Sequence, residues 1–577
     1  MSIASSTLSR AISSFSLISD IPNKNYRKPV YKASVNISRE IEKLASLFPK
    51  SDVISGSVDE KNVSDRTKGL LEFLGLDAHI YTFRSLSWRE EEATIEVGSI
   101  KFSACAMPYT PSGDIESEII YAGYGMFEEE WKNLNVEDKI VLLKWFDLKL
   151  DEVVWQYINA VKMGASAVIF FDPFPSRLRR MVLTLNTDYR FGGGTPPYVP
   201  AVSVSFEDGL RLVKLARSGS KVRVYTATEV NHDAKSYTVY GGDLEGPVFT
   251  AHIDKWLTGF TDNVLGTAIV LMLARSFGEK AGYILFGSEE SGAPDYSPWY
   301  WIWGSREFVR YLEETNRINN IGPILNFDVL GGTRIHVSVS GPDFERGVMK
   351  ILSNEVSYGP DETIYDSFSF TLKGIASLTF NTFEEMLPYY HTDRDVSHNV
   401  SWEHVERVLR YASEVANAFI NKRWGIMDYT ALTKVIREKL EYISSLEHAK
   451  RVIDLLENIK IEDENTARQL RQSLTAPLYH GRYETTFNDI LVIYPYLLDP
   501  IDDLLILEKA LQGKANPLEI KGYRIISGYE TIFPSIETIF GKKAIPRNIL
   551  KEAYTSLRGI VEKNLMLLEE RLREIKQ

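Results

Sequence analysis

Short apolar runs of this chain repeatedly end in side chains able to grip a cation. PVFTAH ends in His252 with Asp254 two positions on, YILFGS runs into Glu289 and Glu290, PILNFD ends in Asp328, and SLTFNT leads into a loop that presents His391. Asp262 lies after His252, in a loop opening a helix that contains Gly266 and Ala268. Two zinc ions held by nitrogen and oxygen donors need a His and a carboxylate each, plus one carboxylate between them. This set supplies that inventory: His252 and Asp328 for one ion, Glu290 and His391 for the other, and Asp262 as the bridge. Asp254 is expected to accept a hydrogen bond from His252 and so orient it. Glu289 is then surplus, and hydrolysis needs a proton carrier. Water on a zinc ion drops from a pKa of about 15.7 toward about 7, and a nearby carboxylate can take its proton and hand it to a leaving amine. Glu289 is expected to be that base and acid.

Each of these residues has a blander reading by itself. A His after a strand is more often structural than a ligand, a Glu pair is usually surface charge, and an Asp opening a helix is usually a cap. It is their joint occurrence at the ends of successive strands, in an order that completes a two-ion site, that favours chemistry. The other histidines, at 79, 232, 336, 398, 404, 448 and 480, lack such company, and only His398 is a further candidate because it lies near His391. Gly192 to Gly194 is followed by Thr and two prolines with no Gly-Lys-Ser/Thr, so it reads as a turn and not a phosphate loop.

The elements that must position the site follow from the patterning. Helical spacing in ISREIEKLASLF and DRTKGLLEFLGL, with Gly75 as a stop, precedes short alternating strands in IYTFRSLSW, ATIEVGSIKFSA and SEIIYAGYGM. Residues 116–230 form a small α/β unit: strands at Ile119–Ala122, Lys139–Lys144 and Ala167–Phe171, a helix around Val154–Met163, the strand AVSVS, and a helix in EDGLRLVKLARSG. From Tyr237 buried strands alternate with helices (TAIVLMLARSF, REFVRYLEE), which argues for a mixed, mostly parallel sheet with helices on both faces. In such sheets functional groups gather past the carboxyl ends of the strands. Beyond about Ile426 the chain is helical, and Ile549 to Ile575 carries Leu550, Ala553, Leu557, Ile560, Leu568 and Leu572 on one stripe that must bury against something. The expected organisation is a split α/β domain at 1–115 and 231–425, an inserted α/β domain at 116–230, and a helical domain at 426–577.

At 577 residues the chain exceeds one ordinary core, and 44% hydrophobic with 25% charged residues is a soluble composition. No apolar run approaches the roughly 20 residues a spanning helix requires. The N-terminal MSIASSTLSRAISSFSLISD lacks the continuous apolar centre of a secretory signal and reads as a weak amphipathic helix or a tail. A net charge of −12 without a Lys/Arg block gives no sign of a nucleic-acid or anionic-membrane footprint. The single cysteine, Cys105, rules out an internal disulfide and suits a reducing compartment, so a cytoplasmic location is expected.

The strings AHIDKWLTGFTDNVLGTA, FGSEESG, LNFDVLG and YYHTDRD closely resemble the co-catalytic zinc exopeptidases that include glutamate carboxypeptidase, the transferrin receptor and many aminopeptidases. The step from Asp254 to Asp262 and the string GSREFVRYL resemble the carboxypeptidase and receptor branch, whereas LNFDVLG resembles the aminopeptidase form. YAGYG, DKIVLLKW, AVKMGASAVIFFD and PAVSVS resemble the protease-associated domain of that family, and the C-terminal helices are similar in placement to its dimerisation domain. The resemblance implies the roles given above to His252, Asp254, Asp262, Glu289, Glu290, Asp328 and His391. It adds Tyr390, just before the final His, as a donor to the tetrahedral oxyanion. It also implies two Zn2+ ions, with Co2+ or Mn2+ as substitutes, sharing a hydroxide that attacks a terminal peptide bond.

The expected partner is a peptide, with no nucleic acid and no membrane, and the C-terminal region suggests a homodimer. An aminopeptidase is favoured over a carboxypeptidase or dipeptidase, which would need Arg306, Arg334 or Arg394 to seat a substrate carboxylate. A non-catalytic receptor-like scaffold is the reading from another class. PDYSPWYWIW departs from the family pattern and either lines a pocket or packs a domain junction.

Overall fold

The structure, a computed structural model, describes residues 37–146, 152–185, 194–352, 354–461, 463–475, 499–516 and 545–576. The N-terminal stretch and Gly192 and Gly193, singled out above, lie outside the described residues.

Two helices, Ile37–Ala45 and Val58–Phe73, open the described chain. The second begins at Ser57, whose hydroxyl accepts from Glu60 N, and ends before Gly75 at φ +86, a conformation that favours glycine. There follow β1 (Ala78–Val97), β2 (Ile100–Ser103), β3 (Cys105–Ala106), β4 (Gly113–Tyr121), β5 (Ile140–Lys144), β6 (Ala167–Phe171), β7 (Ala201–Val204) and β8 (Lys221–Gly242). The expected separate strands at 80–88 and from 93 are one continuous β1, because irregularities between Ser85 and Ser87 and between Glu90 and Glu92 let the charged REEE stretch stay in register with β8. β4 to β7 form a parallel run with helices Glu152–Lys162 and Phe206–Arg217, the small α/β unit. β8 is shared: its first half pairs with β4 and its second half continues into the larger sheet, so the border expected at 230/231 falls inside an unbroken strand.

The larger unit adds β9 (Val248–His252), β10 (Gly282–Phe286), β11 (Ile324–Phe327), β12 (His336–Val339), β13 (Ser357–Pro360) and β14 (Ser377–Asn381). β10, β9, β11 and β14 lie side by side, parallel and buried at every position, which is why each reads as an unbroken apolar run. One face is covered by helices Leu265–Phe277 and Trp402–Lys422 with the N-terminal pair. The other is covered by helix Trp303–Glu314, whose Phe308, Val309 and Leu312 meet Val248, Ile284, Phe286 and Ile324. The parallel register pairs His252 with Phe286 and Phe327 with Phe380, so all four chains leave the sheet at one edge. Gly266 lets the first covering helix start against that edge, since a Cβ there would meet Asn263 Oδ1 at 2.0 Å and Phe327 O at 2.7 Å.

Helices Tyr429–Glu441, Glu447–Asn458, Glu464–Thr475, Asp499–Leu511 and Arg547–Lys576 form a separate core. The C-terminal stripe is used up inside it: Leu550, Ala553, Leu557, Leu568 and Leu572 pack on the chain's own helices, with Ile560 half-buried beside them. The stripe therefore no longer argues for a second copy. A buried arginine ties this core to the sheet. Arg471 Nε stands 2.9 Å from Asp343 Oδ2, and its Nη atoms donate to Gly374 O at 2.5 Å and Ser340 Oγ at 2.7 Å. Arg471→Met would leave Asp343 buried without its cation, so a loss of about 3–5 kcal/mol is expected at this junction. Thermal unfolding and proteolysis near residue 460 will read it; an unchanged melting temperature would remove Arg471 from the account. Among the described residues no helix is long and apolar enough to cross a membrane.

Candidate active site

The edge where β9, β10, β11 and β14 end gathers all the proposed ligands. Three groups of donors have their atoms within 4.8 Å of one another: His252, Asp262 and Asp328; Asp262, Glu290 and His391; and His252, Glu289 and Glu290. The first two share Asp262. Its Oδ1 lies 3.1 Å from His252 Nε2 and its Oδ2 3.4 Å from His391 Nε2. Asp328 Oδ1 is 3.4 Å from His252 Nε2, and Glu290 Oε2 is 2.7 Å from His391 Nε2. All are buried, yet His252 Nε2, His391 Nε2, Asp262 Oδ2 and Glu290 Oε1 make no hydrogen bond. Buried polar atoms are ordinarily satisfied. Short approaches without hydrogen-bond geometry, on atoms from four separate segments, are what donors facing a common centre look like. Four carboxylates in so small a buried volume also need positive charge. The residues fit two divalent cations, three donors to each with Asp262 common.

The supporting contacts differ in one respect from expectation. His252 Nδ1 lies 3.0 Å from the main-chain carbonyl of Asp254, whereas the Asp254 carboxylate is 3.7 Å away. The carbonyl orients the ring. The carboxylate instead accepts from Glu289 N at 3.0 Å, Glu290 N at 2.9 Å and Ser55 Oγ at 3.1 Å, fixing the Glu pair. Sequence reasoning missed three more acids. Glu60, from the N-terminal helices, accepts from Ser288 N, Gly56 N and Ser236 Oγ and so braces the turn before Glu289. Asp395 accepts from Thr261 N, Thr261 Oγ1 and Asp262 N, which holds the bridging residue. Asp366 is fully buried, neither oxygen has a hydrogen-bond partner within the geometry seen, and His252, Asp328 and Asp254 lie near enough to influence it. Asp395 stands in the YYHTDRD string and was legible as an acid; Glu60 and Asp366 carried no signal.

The electrostatics are those of a charged site shut off from water. Burial pushes Glu289 and Glu290 well above the usual carboxylate range, and neighbouring carboxylates add to it. Burial would also raise Asp262, but the close approach of the His252 and His391 rings outweighs it and holds it at about 2. For His252 burial favours the neutral ring, yet Glu289 and Asp328 prevail and raise it, while burial keeps His391 low. Tyr390 stacks on the His391 ring with centroids 3.7 Å apart, and burial, then Asp262 and Glu290, keep its phenol protonated far beyond neutral pH. His391 itself sits at φ +57, a strained backbone worth about 1–3 kcal/mol in a residue with a side chain.

Other candidates lie elsewhere. His398 is exposed and joins none of the three groups, and His480 is outside the described residues. Arg306 stacks on Trp299 at 4.0 Å and donates to Trp299 O and Trp301 O, Arg334 pairs with Glu385, and Arg394 donates to Ser176 O. Arg306 is enclosed by its aromatic neighbours, whereas Arg334 and Arg394 lie exposed, each bonded through its Nε. The aromatic stretch packs: Trp299, Tyr300 and Ile302 are buried, and the indoles of Trp301 and Trp303 donate to Thr363 O and Arg84 O.

The family model described as Peptidase family M28 matches residues 241–416, which hold every ligand, and the PA domain model matches residues 102–212. The chain is similar to a probable leucine aminopeptidase 2 of Aspergillus oryzae (strain ATCC 42149 / RIB 40), 24% identical over 309 residues, and the match spans 51% of this chain but only 58% of that protein. It is also similar to aminopeptidase YwaD of Bacillus subtilis (strain 168), 22% identical over 395 residues, 63% of this chain and 77% of that one. A solved zinc aminopeptidase from Bacillus subtilis shares the fold, with a TM-score of 0.52 at 21% identity over 66% of this chain and 94% of that one. Residues 241–416 are therefore similar to peptidase family M28, and a segment similar to a PA domain stands between the N-terminal helices and the part of the chain that carries the donor groups.

Proposed function

We propose that the chain is a metal-dependent aminopeptidase that uses two zinc ions, with cobalt or manganese as substitutes. The observation that carries the reading is the pair of donor groups meeting at Asp262, with Glu289 beside them as a carboxylate that neither of the two uses. When bound, the ions supply Lewis acidity, polarising the scissile carbonyl and acidifying water at neutral pH. The chain's own groups do the rest. Glu289, its main chain pinned by Asp254, takes the proton of the attacking water on a carboxylate oxygen and returns it to the leaving nitrogen. Tyr390, protonated at any working pH, donates toward the oxyanion.

The amino end of a substrate is the favoured one on charge. Among the described residues the buried cations near the site are engaged: Arg306 with Trp299 O and Trp301 O, Arg179 with Asp172, Arg180 with Asp52 and Glu90, and Lys255 Nζ with Ser51 O and Leu257 O. The buried acids Glu289 and Asp366 suit a substrate ammonium instead. Relatives named aminopeptidases agree with this choice. N-acetylation of a short peptide is expected to lower kcat/KM on the order of 100-fold or more, while C-terminal amidation leaves it within a few-fold, in assays of both derivatives beside the free peptide. Equal cleavage of the acetylated and free peptides would overturn the amino-end reading. Nothing in this reading requires a homodimer, since every site residue comes from one chain. With a single cysteine, Cys105, and that one buried, the chain has no use for an oxidising compartment, and a cytoplasmic location is part of the proposal.

A further inference from the structure

Among the described residues, the PA domain meets the loop that carries Tyr390 and His391 through residues 176–180, between β6 and β7. This segment lies along residues 387–394, and it binds that loop through its backbone and through the side chains of Arg177 and Arg179. Arg180 N donates to His391 O at 3.0 Å, Asp393 N to Leu178 O at 3.2 Å, and Leu178 N to Asp393 Oδ1 at 3.0 Å. Arg179 and Thr392 form an isolated antiparallel bridge, and Arg394 Nε donates to Ser176 O at 2.6 Å. Arg179 is the centre of this contact and is 2% exposed. Its Nη1 donates to Leu387 O at 3.2 Å and Tyr390 O at 2.5 Å, and its Nη2 to Pro388 O at 3.0 Å. Its Nε is held by Asp172 Oδ2 at 2.6 Å, one residue beyond β6, and its plane faces Trp145 of the PA core.

The two ligand groups differ in what holds them. His252 and Asp328 stand directly on the ends of central strands. His391 stands on a loop, in a left-handed backbone conformation that needs fixing from outside. We propose that Arg179 is a positioning residue that locks this loop, so that the PA domain is a structural half of the position formed by Asp262, Glu290 and His391. The proposal rests on the two-ion reading above.

Its test compares the full chain with Arg179→Met, Arg179→Lys and Asp393→Ala. Zinc stoichiometry and visible absorption during cobalt titration report the ions; hydrogen exchange of residues 386–394 reports the loop without any metal. Arg179→Met is expected to weaken one ion, not both, by roughly 10- to 100-fold, the usual effect of removing a group behind a ligand. Exchange in 386–394 should rise, and kcat should fall with little change in KM. Lysine keeps a charge against Asp172 but cannot span three carbonyls, so Arg179→Lys should resemble Met. Full recovery in the lysine variant would overturn the guanidinium's role. If Arg179→Met fails to fold, Asp393→Ala removes the acceptor for Leu178 N on the accessible side, and the same shifts, smaller, are expected. Unchanged exchange and both ions bound as tightly as in the parent would overturn the proposal. A parent chain that takes up only one ion contradicts the two-ion reading, while faster exchange in the variants would still uphold Arg179.

Discussion

Glu289→Gln is expected to lower kcat by roughly 100- to 10,000-fold while the protein keeps its full complement of metal. The change is isosteric. It leaves the Glu289 N–H on Asp254 Oδ1 and the carbonyl that accepts from Ile302 N, so the turn of the Glu pair has no reason to move. What disappears is the ability to take a proton and give it back. At about 1.36 kcal/mol per decade, the expected loss is about 2.7–5.4 kcal/mol of transition-state stabilisation. KM should stay within a few-fold, because the missing interaction is made only as the water is deprotonated. The measurement is steady-state kinetics beside metal analysis of the same preparation. Both are needed because Glu289 also falls in a ligand group with His252 and Glu290. A variant that loses an ion along with activity would make Glu289 a ligand; one that retains near-parental turnover would place the base elsewhere.

The central sheet was legible because parallel strands buried on both faces are written as unbroken apolar runs, and because its metal-competent residues sit where those runs stop. His252, Asp328 and the Glu pair could thus be found without a structure. So could the helix Leu265–Phe277 and the small α/β unit. Long β1 was not legible as one strand, because its charged centre reads as a loop until β8 is laid beside it with two bulges. The groups that brace the ligands were invisible for a different reason. Glu60 meets Ser288 across 228 residues and Arg179 meets Pro388 across 209, and both contacts are made to main-chain atoms. A backbone partner leaves no residue type to notice, and distance in sequence leaves no spacing. Asp254 shows the same limit at short range. Its place beside His252 was plain, but which of its oxygens serves the ring depends on a backbone turn that no residue pattern encodes.

Asp262→Asn is expected to weaken both ions together and to take activity down at least as far as loss of the base does. Asp262 belongs to two of the three donor groups, one oxygen toward His252 and the other toward His391. An asparagine keeps the shape but turns one donor atom into an NH2 aimed at a cation and removes the charge that balances it. Breaking one side of a buried charge pair costs about 3–5 kcal/mol, so each ion should bind roughly 200- to 5,000-fold more weakly. Metal analysis after dialysis separates this variant from Glu289→Gln, which should retain its ions. The metal-free proteins carry an independent check. In the parent, the closely placed rings of both histidines overcome burial and hold Asp262 at about 2, below its ordinary 3.8. A lowered folded pKa gives stability that is fully present above 3.8 and disappears as the pH falls through 2, about 2 kcal/mol at neutral pH. The stability gap between parent and Asp262→Asn, measured with chelator present, should therefore close between about pH 4 and pH 2. A gap that widens toward acid would mean that Asp262 is not the carboxylate the two imidazoles share. A variant that keeps one ion at parental affinity would mean that the bridge serves only one of them.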